Sequence, residues 1–283
     1  MPNYVNKALK RFHHPDPPSP EHSPHPWTAP KYGQKVQYAK MLEKNTTLTN
    51  KQRKLLQEFI GTFLFYARAI DNTMLEPIGT IATAMTTSTW DDLRKRMTQF
   101  LNYAATHPDA TIRFKASEMH LWLHSDSSYL NEPKARSRAG GYFYLSDKPK
   151  LPIQPTDPMP PLNAPIHVNS KVIDAVMSSA QEAETGAGFF NAKDAVPLRQ
   201  TLEDLGHPQG PTPIQFDNAC ATGILNDKVK QRRSRAMDMR FYWLRDRVRQ
   251  KQFHIYWKRG TTNLADYFTK NHPTSHHIDM RPT

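Results

Sequence analysis

Among its 283 residues the chain has one cysteine, Cys220. A lone thiol excludes an internal disulfide, so the core alone must hold the fold, and it suits a reducing compartment. Cys220 follows Asp217 on a predicted helix and reads as small packing material rather than a nucleophile. No apolar run approaches the roughly 20 residues of a membrane-spanning helix. No charged-then-apolar signal segment opens the chain, so no membrane partner is expected. No internal repeat is evident. Acidic residues are in short supply: 26 Asp and Glu stand against 38 Lys and Arg, a formal charge of +12. Ten basic and two acidic residues lie between Lys228 and Lys251. Such clustering is an electrostatic footprint for a polyanion, although a solvated helix face has the same composition.

What is present suits a globular chain of one or two domains: 37% of residues are hydrophobic and 10% aromatic. The 24 prolines mark irregular stretches. Residues 1–45 open with a short helical pattern, NYVNKALKRF, and then lose periodicity. In HHPDPPSPEHSPHPWTAP few side chains can build a core, and the prolines favour extended or turn conformations. His13, His14, His22 and His25 lack cysteine partners and zinc-like spacing, so no metal site is assigned to them.

A helical block is predicted over 46–112. Leu55, Phe59, Phe63 and Ile70 share one helix face over about 51–70, and a second helix is expected over Leu75–Met85. Thr89 and Asp92 open a third, with Leu93, Met97, Phe100, Leu101 and Ala104 inward. From Met119 the period changes. MHLWLHSD reads as a strand and GGYFYL as its hairpin partner across a glycine-containing turn. Residues 147–165, with seven prolines, read as an extended loop, and IHVNSKVIDAV as a third strand. Ser179 and Glu182 make a capping box; Pro197 limits that helix or starts the next, and Gly206 ends LRQTLEDL. Then come a PIQFD strand, a CATGIL helix and a basic helix with Met237, Phe241, Leu244 and Val248 inward. A FHIYWK strand, a LADYFTK helix and a tail over 273–283 complete the chain. Sequential strands followed by strands separated by helices predict an α/β fold, a mixed sheet covered by helices.

Four carboxylates fall on four of these elements. Asp126 ends MHLWLHSD, Glu184 lies one turn into the helix at SSAQEAE, Asp217 ends PIQFD, and Asp266 lies just inside LADYFTK. Strand ends and first helical turns can converge at one sheet edge. A carboxylate cluster there repels itself unless divalent cations neutralise it, and Mg²⁺ favours carboxylate, water and phosphate oxygens. Two ions roughly 3.5–4 Å apart clamp the attacking and leaving oxygens of a phosphodiester. Each residue also has a plainer explanation: Asp126 capping a turn beside Ser125 and Ser127, Asp217 starting a helix, Glu184 and Asp266 exposed on helices. Glu182 is the neighbour most easily mistaken for a ligand, and as a capping-box residue it should fold back on the helix start.

The order Asp, Glu, Asp, Asp on strand, helix, strand, helix resembles ribonuclease H. The surrounding words HSDSSYLNEPKARSRAGGYFYL, SSAQEAETGAGFF, QFDNACA and NLADYFTK resemble the ribonuclease H domain of copia-type retrotransposon polyproteins over roughly 119–272. Residues 1–110 more weakly resemble the reverse transcriptase tail that precedes it. The resemblance implies a ribonuclease H-like five-stranded mixed sheet with flanking helices over 117–272. A small helical, thumb- or connection-like region and a proline-rich segment would precede it. It also implies Mg²⁺-dependent hydrolysis of the RNA strand of RNA–DNA hybrids. Two ions, replaceable by Mn²⁺, would be held by Asp126, Glu184, Asp217 and Asp266. Arg136, Arg138, Lys230, Arg232, Arg235, Lys258 and Arg259 are the implied phosphate contacts, and the missing reverse transcriptase fingers and palm an implied partner.

Two departures qualify the match. Many ribonucleases H carry a histidine in the loop before the last aspartate. Here that loop is WKRGTTN, with Lys258 and Arg259, while His254 lies earlier on the strand. Nothing resembles the YxDD motif, so polymerisation is not expected, and no integrase or protease segment is recognisable; the chain reads as a polyprotein C-terminus. The alternative is a catalytically decayed retroelement fragment that only binds nucleic acid.

Overall fold

Helical periodicity governs the N-terminal part of the chain and strand periodicity the middle, and the computed structural model divides accordingly. It describes residues 1–29, 48–226 and 238–281. Two compact units result: Met1–Ile112 with Asn271–Thr283, and Arg113–Lys270. Among the described residues no helix is long and apolar enough to cross a membrane.

The first unit contains helices α1 (Tyr4–Arg11), α2 (Asn50–Ala69), α3 (Leu75–Ala84) and α4 (Trp90–Thr106). Thr49 and Gln52 close a capping box at the start of α2. Its buried stripe is Leu56, Phe59, Phe63, Tyr66 and Ala67. Leu55, expected inward, is exposed, because the spacing of Leu56 to Phe59, Phe63 and Tyr66 centres the stripe one residue later. Phe59 and Phe63 meet Phe100 of α4 edge-on, with ring centroids 5.2 and 5.0 Å apart. The segment after α1 is extended but fastened to α4: His14 bonds Asn102 at 2.8 Å and Gln99 donates to the His25 carbonyl at 2.8 Å. The residues read as a tail form a short helix, Thr274–Met280, and Arg281 pairs with buried Asp71 at 3.0 Å.

The second unit runs β1 (His120–Glu132), β2 (Arg136–Ser146), β3 (Pro165–Val172), α5 (Ala180–Asp204), β4 (Thr212–Phe216), α6 (Ala219–Leu225), α7 (Asp238–Arg249) and β5 (Phe253–Trp257). The strands order as β3-β2-β1-β4-β5. β1, β2 and β3 pair antiparallel, while β4 is parallel to β1 and to β5. This is an α/β, mixed five-stranded sheet with flanking helices, as the sequence patterning predicts. Alternation along β1 splits its faces. Leu121 and Leu123 join Phe143, Ile214, Phe216 and Ile255 against Ala192, Ala195, Phe241 and Leu244 of α5 and α7. Each such large apolar side chain, fully buried, stabilises by about 1.5–3 kcal/mol. Trp122 and His124 instead join Tyr142, Tyr144 and Tyr256 on the other face. The proline-rich segment is fastened there: Trp122 donates to the Asp147 carbonyl, Tyr142 to Asn163 and Ser146 to Pro161, at 2.7–2.8 Å.

Several local expectations change. The β1–β2 turn is a 3₁₀ turn over Pro133–Ala135, and Gly140 and Gly141 lie inside β2. α5 runs unbroken through Pro197. The proline forgoes one helical hydrogen bond, but Ala192 and Ala195 before it and Leu202 after it pack into one core. Leu264–Phe268 is a 3₁₀ helix rather than an α-helix. Cys220 is exposed rather than packed, since Ala221, Ile224 and Leu225 form the inner face of α6. Met237 lies outside the described residues.

Candidate active site

Asp126 stands on β1 opposite Gly140 of β2. A Cβ at Gly140 would come within 2.5 Å of the Ala265 carbonyl oxygen and 2.6 Å of the Thr269 methyl. Glycine there lets the segment carrying Asp266 lie against the sheet. β1 then fastens that segment. Asn263 donates to the Ser125 carbonyl at 2.8 Å, the Leu264 amide donates to His124 Nδ1 at 3.1 Å, and the Thr269 hydroxyl donates to Asp126 Oδ2 at 2.6 Å. Burial pushes the His124 pKa down to about 3, so its ring stays neutral and Nδ1 can accept.

Close packing also brings in Glu184. A Cβ at Gly188 would sit 2.3 Å from the Phe216 ring, and one at Gly141 would sit 2.3 Å from Asn191 Oδ1. Without those atoms α5 lies tight on the sheet. Asn191 donates to the Ser125 hydroxyl at 3.0 Å and the Gly140 carbonyl at 2.7 Å. Ser127 donates to Glu184 Oε2 at 3.1 Å. Glu182 does fold back: its Oε2 accepts from the Ser178 amide at 2.9 Å, while its own amide donates to Ser179 at 3.1 Å. Asp217 follows β4, whose parallel pairing with β1 sets it beside Asp126. Its carbonyl accepts from Trp257 Nε1 at 2.8 Å.

One carboxylate oxygen each from Asp126, Glu184 and Asp217 lies within 4.8 Å of the others. Asp126 and Glu184 are buried. Burial, then the charges of Asp266 and Asp217, push Asp126 up to about 7. Burial, then Asp126 and Asp217, drive Glu184 well above the usual range. Burial and Asp266 raise Asp217. Asp266 stands outside the tight triad, yet its charge bears on Asp126 and Asp217, and it pairs with Lys270. Glu184 Oε1 is buried with no hydrogen-bond partner among the described residues. A buried acceptor left without a donor is costly, and self-repelling carboxylates add to that cost. Hard oxygen donors of this kind suit a Mg²⁺- or Mn²⁺-class cation, so the residues fit the metal that the sequence resemblance implies.

The basic residues divide. Arg138 is a correction: it is buried, with Nε donating to Glu132 at 2.6 Å and Nη1 to Ser170 at 3.1 Å. A guanidinium inside the sheet needs such partners, which removes it from the phosphate surface. Lys258 is also buried, its ammonium bonded to the Asp157 carbonyl of the proline-rich segment. Arg136 is partly exposed, 3.9 Å from Asp174, and Arg259 is exposed. Lys230, Arg232 and Arg235 lie outside the described residues. Sequence reasoning missed a cationic-aromatic group: Lys171 and Arg240 lie over the Phe190 ring at 5.1 and 5.5 Å, and Arg247 over Trp243 at 5.1 Å. It also missed His124, Asn263 and Thr269, although they stand inside the words MHLWLHSD and NLADYFTK. His254 accepts from the Ile153 amide at 3.3 Å, in the proline-rich segment.

No family model matches the chain. A curated relative, the retrovirus-related Pol polyprotein from transposon TNT 1-94 of Nicotiana tabacum, is 27% identical over 101 residues. The match covers 36% of this chain and 8% of the relative, so the chain spans a small part of that polyprotein's length. Among solved structures, LC11 ribonuclease H1 in complex with an RNA/DNA hybrid is 11% identical, covering 58% of this chain and 99% of that chain, with TM-score 0.38. The N-terminal ribonuclease H domain of rv2228c from Mycobacterium tuberculosis is 12% identical, covering 58% and 96%, with TM-score 0.37. The foamy viral protease–reverse transcriptase in complex with double-stranded DNA is 15% identical, covering 75% and 41%, with TM-score 0.41.

Proposed function

We propose that the chain is the ribonuclease H-type part of a retroelement Pol polyprotein and hydrolyses the RNA strand of RNA–DNA hybrids. The observation that carries this reading is the convergence of Asp126, Glu184 and Asp217 within 4.8 Å, with Glu184 Oε1 buried and unpartnered. Asp126, Glu184, Asp217 and Asp266 would hold the cations. A bound Mg²⁺ pair, for which Mn²⁺ substitutes, supplies charge that favours a hydroxide nucleophile and the leaving 3′ oxygen. The protein groups do the positioning. Thr269 and Ser127 each donate to one carboxylate oxygen, at Asp126 and Glu184, which restrains both side chains. Neutral His124 and Asn263 hold the Asp266 segment in register with β1. RNA is distinguished from DNA through 2′-hydroxyls in the wide minor groove. Arg136, Arg259, Lys171 and Arg240 are the proposed phosphate contacts, extended by Lys230, Arg232 and Arg235. The reverse transcriptase fingers and palm of the same polyprotein are the proposed partner.

The absence of a histidine from WKRGTTN, with Lys258 engaged elsewhere, leaves the loop without an evident proton carrier. That observation keeps the binding-module reading in view. The test is Mg²⁺-dependent cleavage of a labelled RNA–DNA hybrid by the parent and by Asp126→Asn, with circular dichroism confirming the fold. Cleavage by the parent alone supports the enzyme. A folded parent that binds the hybrid and never cuts it, at any Mg²⁺ or Mn²⁺ level, leaves a binding module in its place.

A further inference from the structure

Lys270 ends the segment that carries Asp266 and Thr269. Its ammonium donates to Asp266 Oδ1, one helical turn earlier. The side chain is 47% exposed, so its charge is neither fully screened nor fully buried. Adjacent residues therefore tie the same segment to the cluster in two ways, Thr269 through Asp126 and Lys270 through Asp266. A fixed positive charge here has two opposing effects. It offsets carboxylate repulsion while no divalent ion is bound, and it repels an incoming ion of the same sign.

We propose that Lys270 is a built-in counter-cation of the carboxylate cluster, holding Asp266 at the site in the metal-free protein and competing with divalent cations for it. This rests on the proposed function, in which these carboxylates are the metal ligands. Lys270 is a positioning residue in this scheme. It sets the divalent concentration at which the site fills, and it limits drift of the Asp266 segment before filling. At a half-exposed position water screens the repulsion, so its effect on divalent affinity is roughly three- to tenfold.

The experiment is calorimetric titration of the full chain with Mn²⁺ at low salt, for the parent, Lys270→Met, Lys270→Arg and Asp126→Asn. Lys270→Met removes the charge while keeping a long side chain, and is expected to bind Mn²⁺ about three- to tenfold more tightly. Lys270→Arg keeps the charge and should stay near the parent. The metal-free Lys270→Met protein should melt below the parent and gain more from added Mn²⁺. If Lys270→Met does not fold, Lys270→Gln is read on the same scale. Parent binding that Asp126→Asn abolishes but loss of the lysine charge leaves equal or weaker overturns the role of Lys270 and leaves the metal site standing. A parent that takes up no Mn²⁺ overturns the site, and the Lys270 proposal with it.

Discussion

At the scale of single residues the site is a balance of repulsion and support. Asp126, Glu184 and Asp217 come together from the words that suggested them, although Asp126 lies inside β1 rather than at its end. Their supports were not legible in the sequence, because the roles of Gly140, His124 and Thr269 depend on cross-strand register and on contact with a segment more than a hundred residues away. Arg138 shows the converse error: a basic residue in a hairpin looks like surface charge until a carboxylate six residues earlier takes it inward. Two predictions belong here. Asp217→Asn should abolish hybrid cleavage while leaving hybrid affinity and the circular dichroism spectrum unchanged, since it deletes a ligand charge with almost no change in volume. Asp126→Asn should raise the metal-free melting temperature above the parent's at neutral pH, because it removes a buried charge beside Glu184 and Asp217. A calorimetric scan without metal checks it, and a lower melting temperature would contradict the picture of a self-repelling cluster.

At the scale of elements, capping signals and apolar stripes placed α4, the start of α5 and β4 well, because their determinants are local. Pro197 misled because its cost is one forgone bond, whereas the continuity of α5 is decided by packing on both sides. The glycines of β2 misled in another way: they serve close approach to Ala265 and Asn191 rather than a turn. Gly140→Ala therefore tests the architecture. It should destabilise the protein by about 1–3 kcal/mol through overpacking. Cleavage should fall with it, because the Ala265–Thr269 backbone has to lift from β1. Urea unfolding reads the first effect and the hybrid assay the second. Wild-type stability and activity together would show that the segment does not lie on Gly140.

At the scale of the molecule, composition raised the expectation of a polyanion partner, and half of that charge run lies beyond the described residues. In the described portion, Arg240 shares the Phe190 ring of α5 with Lys171 of β3. Replacing Lys171 and Arg240 with glutamine should weaken hybrid binding and lower the slope of log affinity against log salt by about two. An unchanged slope assigns them to solubility. The first unit carries a different dependence. Burial pushes His107 down to about 4, with Arg281 and His22 adding to it, and pushes His277 down to about 3, with His25 and His272 adding to it. Both are neutral when folded and take up a proton near 6.5 when unfolded. Their contribution is fully present above that pH and is lost as pH falls toward 4 and 3. Denaturant melts of a His107→Gln variant should accordingly lose less stability than the parent between pH 7 and 4.5.

The contact between Asp126 and Thr269 spans 143 positions of chain. A polypeptide leaving the ribosome exposes the first hairpin long before Thr269 exists, so sheet pairing is available early and the closing bond comes last. During synthesis the hairpin therefore matures as a scaffold whose carboxylate corner is incomplete. A chain stopped shortly before residue 269 would keep most of that scaffold without the bond that fixes Asp126. Until residue 269 has been made, the carboxylate of Asp126 lacks that anchor, however complete the hairpin that carries it.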